Sequence, residues 1–193
     1  MEGQNSYALK EWASVVRALT DGALILLLRK GGIIEKTDRF VVEHREFFLY
    51  PTYEHQRSDL IRPDFREFLR AASAEQPPET EVRLGSYAVV EEVIETQDLG
   101  RLQALSEEYI WTTESVAQRM SFKPELPMSV LLLRVYTLPE PYSLKVTQAY
   151  RGCKSWVGLE RPLSTQGVSP VVPETEFRVR ARRVKELLEA RLA

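Results

Sequence analysis

Cysteine and histidine are scarce in this 193-residue chain: Cys153 is the single cysteine, and His44 and His55 are its two histidines. A lone thiol closes no internal disulfide, so a disulfide-stapled secreted scaffold is excluded and a reducing, cytoplasmic setting is expected. One cysteine and two histidines also fall short of a zinc-finger set, and no HExxH spacing occurs. Long apolar runs are missing as well. The longest, residues 23–28, has six residues, against the roughly 20 that span a bilayer. The opening residues, MEGQNSYALKEW, lack a basic segment followed by an apolar one, so no secretory signal is expected. Nor is there an excess of one charge: 26 Lys and Arg face 28 Asp and Glu, for a net charge of -2. That excludes a polycation binding nucleic acid by bulk charge. The GxSxG, GxGxxG and GxxxxGK[ST] signatures are absent, and so is the E/Q/D-x-K half-motif of many metal-dependent nucleases. No cofactor and no metal-ligand set is read from the chain, and no catalytic constellation.

What is present is the composition of a folded domain, with 44% hydrophobic and 28% charged residues. Helical spacing of Leu9, Trp12, Ala13, Val16 and Leu19 predicts a helix over residues 8–19, with a strand turning into a hairpin as the alternative. A continuous aliphatic run predicts a buried strand over 23–29, broken by Gly31-Gly32. A long strand is expected over 39–51, which Pro51 either ends or marks as an edge. Pro63 opens a short helix over 64–74. Strands follow over 82–95, around Gly85. Asp98 is placed to cap a helix carrying Leu99, Leu102 and Leu105. A helix over 113–120 precedes an apolar strand over 129–137, after which Pro139 and Pro141 force a turn. Further strands are expected over 142–150 and 155–159.

These elements sum to an α+β fold. Its simplest architecture is a small mixed or antiparallel β-barrel, partly open, with short helices over its ends. Residues 1–160 form one α+β domain. The Pro-, Ser- and Gly-bearing stretch 161–173 reads as a linker, and 174–193 as a C-terminal amphipathic helix. That helix carries Arg178, Arg180, Arg182, Arg183 and Lys185 among glutamates, a mixture that favours packing or a partner helix.

Six segments together carry a resemblance: LKEWA (9–13), LLLRKGGI (26–33), VEHREFFLYPTYEHQ (42–56), LGSYAVVEEV (84–93), LLLRVYTLPEP (131–141) and YRGCKSWVGLE (150–160). This sequence resembles the bacterial family known as domain of unknown function 1802 over residues 8 to about 160, leaving the terminal helix outside. The resemblance implies no activity. It does imply an association with restriction-endonuclease-like domains of the Mrr type, and so a setting near restriction–modification. A second resemblance is to PUA-like barrels of the EVE and ASCH groups. It rests on the order of VVRALTDGALILLLRK, FFLYPTY, LGSYAVVEEV and VLLLRVYTLPEPYSL. It implies a PUA-like barrel that reads nucleic acids, modified bases included.

Two constellations suit that chemistry. Residues 50–56 gather Tyr50, Thr52, Tyr53, His55 and Gln56 after a strand, where a loop on a rigid scaffold carries function. The tyrosines either sandwich a base, with Thr52, His55 or Gln56 reading its edge, or cap the core with their hydroxyls outward. Residues 141–159 contain no acid but hold Arg151, Lys154 and Trp156, a local patch suited to phosphates and stacking. Trp156 is otherwise a buried core residue. Arg29 and Lys30, ahead of Gly31-Gly32, suit a phosphate or a plain turn. Arg62, Arg66 and Arg70 recur along one helix face, either toward phosphate or solvent. Cys153 beside Lys154 lacks a histidine partner for a catalytic thiol.

The leading expectation is therefore a nucleic-acid-binding module, not an enzyme. Its partners would be DNA or RNA and a restriction-endonuclease-like protein, with no membrane. One alternative is a metal-dependent nuclease or nucleotide hydrolase using unpatterned carboxylates such as Glu43, Glu46, Glu91 and Glu92. The other is a protein-interaction module acting through the terminal helix.

Overall fold

In the computed structural model, which describes residues 2–31 and 40–190, the chain opens on a strand rather than a helix. The helix expected over 8–19 is divided. Strand β1 spans Gln4–Trp12 and helix α1 spans Ala13–Thr20. The reason lies in the pairing: β1 is flanked by β3 (Glu46–Thr52), to which it runs parallel, and by β6 (Trp156–Ser164), antiparallel. Core clusters also lie against both faces of this strand, so Ala8 and Leu9 are both fully buried, on opposite sides. That doubles the apolar density of the segment and imitates helical spacing.

The same alternation governs β3. Phe47 and Leu49 enter the main core, while Phe48 and Tyr50 enter a smaller one on the other face. The strand expected from residue 39 begins only at Glu46; residue 39 lies outside the described residues, and 40–45 form no strand. Pro51 lies inside β3 and marks an edge, the second of the two expectations. Within β3 only Glu46–Phe48 pair with β4 (Glu81–Thr96), so Pro51 stands where one side of the strand needs no N–H. The aliphatic run at 23–29 forms β2 over Leu26–Arg29 only, paired with β5.

β5 spans Met128–Lys145 and outruns its expectation. Pro139 and Pro141 do not turn the chain; they occupy the unpaired stretch between Thr137 and Tyr142, where the register against β4 shifts. The strand expected over 142–150 therefore reduces to the tail of β5 and a 3-10 turn at Gln148–Tyr150. Residues 161–164 lengthen β6, and Ser169–Pro170 form β7 against Tyr136 and Thr137. Helices α2 (Arg66–Ala74), α3 (Leu99–Ala104) and α4 (Thr113–Ser121) lie close to their expected positions. Asp98 caps α3, its carboxylate accepting from Gly100 N at 2.8 Å and Arg101 N at 3.3 Å, a contact worth about 1 kcal/mol.

The class is α+β, with a seven-stranded sheet in the order β2-β5-β4-β3-β1-β6 and β7 also on β5. The sheet is not closed into a barrel. Among the described residues no ladder joins β2 to β6; instead the Arg29 side chain, at the end of β2, reaches Ser155 just before β6 at 2.6 Å. Helix α5 (Glu174–Glu189) lays Phe177, Ala181, Val184 and Leu188 into the main core. Its cations bind within the chain. Arg180 donates to the carbonyls of Gly22 and Ala23, and Arg183 and Lys185 pair with Glu108 and Glu92. The buried Arg134 meets Glu174 at 2.8 Å and lies over the Phe177 ring. Among the described residues no helix is long and apolar enough to cross a membrane.

A buried polar cluster fastens the start of β1. The Tyr87 hydroxyl donates to Glu46 Oε2 at 2.9 Å and accepts from Asn5 Nδ2 at 3.1 Å, while Glu2 N–H also donates to Glu46. Burial opposes ionisation of Glu46, yet the Glu2 and Tyr87 hydrogen bonds outweigh it and hold the carboxyl below its usual value of 4.5. A carboxyl depressed in the folded state stabilises the fold above its unfolded pKa, and that contribution is lost as pH falls through the folded pKa. Acid titration of unfolding should therefore show the wild type losing stability below about pH 4.5, and Glu46→Gln losing less across the same window.

Candidate functional site

Two adjoining clefts open at the C-terminal end of β1. Their common wall is Lys10, Trp12 and Thr52. The first, of about 490 Å³, lies between the loop after β3 and the loop before β6. It thereby unites the two stretches singled out from the sequence: Tyr50, Thr52, Tyr53 and His55 on one side, Arg151 and Lys154 on the other.

Each side chain has a definite place. Tyr50 is 5% exposed and forms the floor, with its ring edge-on to Tyr150 and the Lys10 ammonium 5.5 Å from its centroid. Burial, reinforced by Tyr150, pushes its phenol up to about 12. It stays neutral. Tyr53 is half-buried on the cleft wall, and burial raises its pKa too. Thr52 donates its hydroxyl to the Glu11 carbonyl at 3.0 Å. Gln56 lines neither cleft; its side-chain oxygen accepts the Ser14 N–H at 2.9 Å and anchors the loop to the first turn of α1. His55 is exposed at a turn with φ 63°. On the opposite loop, Gly152 takes φ 88°, a backbone state open to glycine, and its carbonyl accepts from Lys10 Nζ at 3.0 Å. Lys154 donates to the Ala149 carbonyl. Arg151 is exposed at the rim, where Glu54, Glu79 and Glu81 also stand, so this cleft is mixed in charge.

The second cleft, of about 500 Å³, is more cationic. Arg29 Nη1 pairs with Glu11 Oε2 at 3.0 Å and donates to the Lys10 carbonyl at 3.3 Å. Lys30 donates to the Met120 carbonyl at 2.9 Å, and burial lowers its pKa. Arg119 lines the same space, stacked on Trp111 with its guanidinium carbon 3.8 Å from the ring centroid. Phe122, 49% exposed, stands at the mouth.

Trp156 lines neither cleft. Its indole N–H donates to the Val41 carbonyl at 2.9 Å, and its ring meets Phe47 edge-on at 5.0 Å, with Phe40 and His44 nearby. Lys10, Trp12, Arg119 and Phe122 were not singled out by sequence reasoning. Trp12 looked like core by its spacing, and Arg119 meets β1 and β2 only through the fold. The carboxylates of the hydrolase alternative do not converge. Glu46 is held by Tyr87, Glu92 faces Lys185, and Glu43 and Glu91 are exposed. Among the described residues no three His, Cys, Asp or Glu side chains are grouped to hold a metal ion. Arg62 is bound to Asp64 and Glu107, and Arg66 to the carbonyls of Ser58 and Ile61.

Comparison with known proteins adds a family. A family model described as "Domain of unknown function (DUF1802)" matches residues 8–183, so the match passes beyond residue 160 and takes in much of α5. No curated protein matches the chain in sequence. Among solved structures, ASCH from Zymomonas mobilis is 13% identical, with a TM-score of 0.44, over 80% of this chain and 87% of that one. A serine-to-alanine mutant of the same protein, ZmASCH, is 11% identical, with a TM-score of 0.44, over 83% of this chain and 92% of that one.

The contact between Arg29 and Glu11 lies in the wall of the second cleft, and both side chains are largely out of water, at 17% and 7% exposure. Glu11→Gln leaves Arg29 without its counter-charge, and chemical denaturation should register a loss of about 3 kcal/mol. A change under about 0.5 kcal/mol, the size of an ordinary surface substitution, would remove the pair from its structural role.

Proposed function

Because the chain belongs to the DUF1802 family, whose description states no activity, we propose a function from the site itself: the protein is a nucleic-acid-binding module that takes a single unstacked base into the first cleft. One observation carries this reading. Two segments a hundred residues apart in the chain, one aromatic and one basic, face each other across a space of about 490 Å³, within the range of small-ligand pockets, roughly 300–1,000 Å³.

The roles follow from exposure and chemistry. Tyr53 and Trp12 present half-buried ring faces at the walls and stack on the base. Tyr50 supplies a neutral apolar floor, and His55 reads an edge of the base. Lys10, Arg151 and Lys154 contact the flanking phosphates. Arg29 and Lys30, bound to β1 and α4, belong to the neighbouring cleft; Gln56 and Thr52 hold the loop in shape. Mixed charge at the rim makes for modest affinity and a shallow salt dependence. An aromatic wall also suits a base carrying an added methyl group, which removes further apolar area from water. This base-reading role extends to restriction–modification, with a restriction-endonuclease-like protein as partner, the setting that the family resemblance implies.

The test is fluorescence anisotropy with single strands and with plain and base-modified duplexes at moderate salt. Stacking contributes about 1–3 kcal/mol per base, so Tyr53→Ala should weaken binding of the preferred probe about tenfold or more. Arg151→Ala with Lys154→Ala should weaken all probes alike and flatten the salt dependence. Absence of binding to every probe, or affinities unchanged in both variants, overturns the reading.

A further inference from the structure

The second cleft carries a charge imbalance that the base-binding role leaves unused. Lys10, Arg29, Lys30 and Arg119 line it, and Glu11 is the acid among its lining residues. Glu11 is already engaged by Arg29. Lys10 and Lys30 reach backbone carbonyls, which carry no full charge. Arg119 has neither an ion pair nor a hydrogen bond to any described residue; its ring contact with Trp111 holds it flat and leaves its N–H edges unused. A guanidinium presents five donors in a fixed plane and accepts a bidentate oxyanion through such an edge. Burial lowers the pKa of Arg119, Lys30 and Lys10 alike, and the nearby carboxylates of Glu11, Glu125 and Glu54 offset it only in part.

The position of this imbalance narrows what relieves it. The two clefts share Lys10, Trp12 and Thr52, so a ligand seated in one continues directly into the other. Trp12 lines both, its ring meets Trp111 edge-on at 4.9 Å, and the Arg119 guanidinium lies over the Trp111 ring. An anion here is within reach of whatever occupies the first cleft. We infer that the second cleft seats the backbone phosphate of the adjoining nucleotide, with Arg119 as its anchor, so that the ligand is a single strand of at least two nucleotides rather than a mononucleotide. This rests on the base-binding reading of the first cleft and specifies its substrate.

The probes are thymidine monophosphate, a short oligothymidylate and a short oligouridylate, each titrated against the full chain at several salt concentrations. Arg119→Gln should bind both oligonucleotides about tenfold more weakly, the loss of one charge-assisted contact. Its log–log salt slope should fall by about 0.7, the value for one phosphate on a single strand. Binding of the monophosphate should stay as in wild type. Lys30→Gln, which leaves the Trp111 stack intact, should move both readings in the same direction, and matched thermal melting of the two variants checks that the fold is retained. Oligonucleotide affinity and slope unchanged in both variants, with Tyr53→Ala still impaired, overturns the phosphate seat alone. Monophosphate binding weakened as much as oligonucleotide binding also overturns it. A wild type that binds none of the three probes defeats the base-binding reading with it.

Discussion

The ion pair between Arg29 and Glu11 is the contact on which the geometry of the second cleft depends. Arg29 is the last residue of β2 and Glu11 the penultimate residue of β1, and the sheet path separates these strands by β5, β4 and β3. No ladder joins them. One guanidinium instead reaches the Glu11 carboxylate, the Lys10 carbonyl and the Ser155 hydroxyl. A planar, multi-donor cation is the side chain able to satisfy two acceptors on β1 and one just before β6 at once. The open end of the sheet is thus closed by side chains, and this leaves hollows where a backbone ladder would have filled the space. The second cleft is a consequence of incomplete closure.

Around that pair the cations are used unequally. Arg180 and Arg183 of α5 and Arg62 ahead of α2 are spent on carbonyls and carboxylates of the same chain. They contribute to stability and offer little to a ligand. Lys10, Lys30, Arg119 and Arg151 are different: among the described residues none of them faces a carboxylate at ion-pair distance. A chain with net charge -2 can still present a cationic furrow, because its balance is struck over the whole surface and not at each point. Long-range attraction of a polyanion is weak under those conditions, and discrimination falls to the walls of the furrow.

Much of this was legible in the sequence, for identifiable reasons. Asp98 and Pro63 mark helix starts through local chemistry that tertiary contacts did not override. The loop 50–56 and the acid-free stretch 141–159 were recognisable as special because composition is local. Their meeting in one cleft was not recognisable, since it depends on β1 lying between β3 and β6 in mixed orientation. β1 itself was misread because a strand buried on both faces loses its polar alternation, and five apolar residues across residues 9–19 then fit a helix equally well. Trp12 shows the cost: one residue assigned to a helix core is instead the partition between two clefts. Trp156 shows the converse. The four residues 151–154, separated from it by Ser155, are exposed and include Arg151 and Lys154, but β6 turns its ring toward Phe47 and takes it out of reach of the site.

The central claim is that one continuous furrow, divided by Trp12, receives a nucleic-acid strand. Mapping backbone amide chemical shifts while titrating a short single-stranded oligonucleotide tests this most directly. The account predicts that the perturbed amides cluster at residues 10–12, 50–55, 115–122 and 151–155, with the indole N–H of Trp12 among the most shifted and that of Trp156 unmoved. Shifts confined to α5, or spread evenly over the surface, would contradict it.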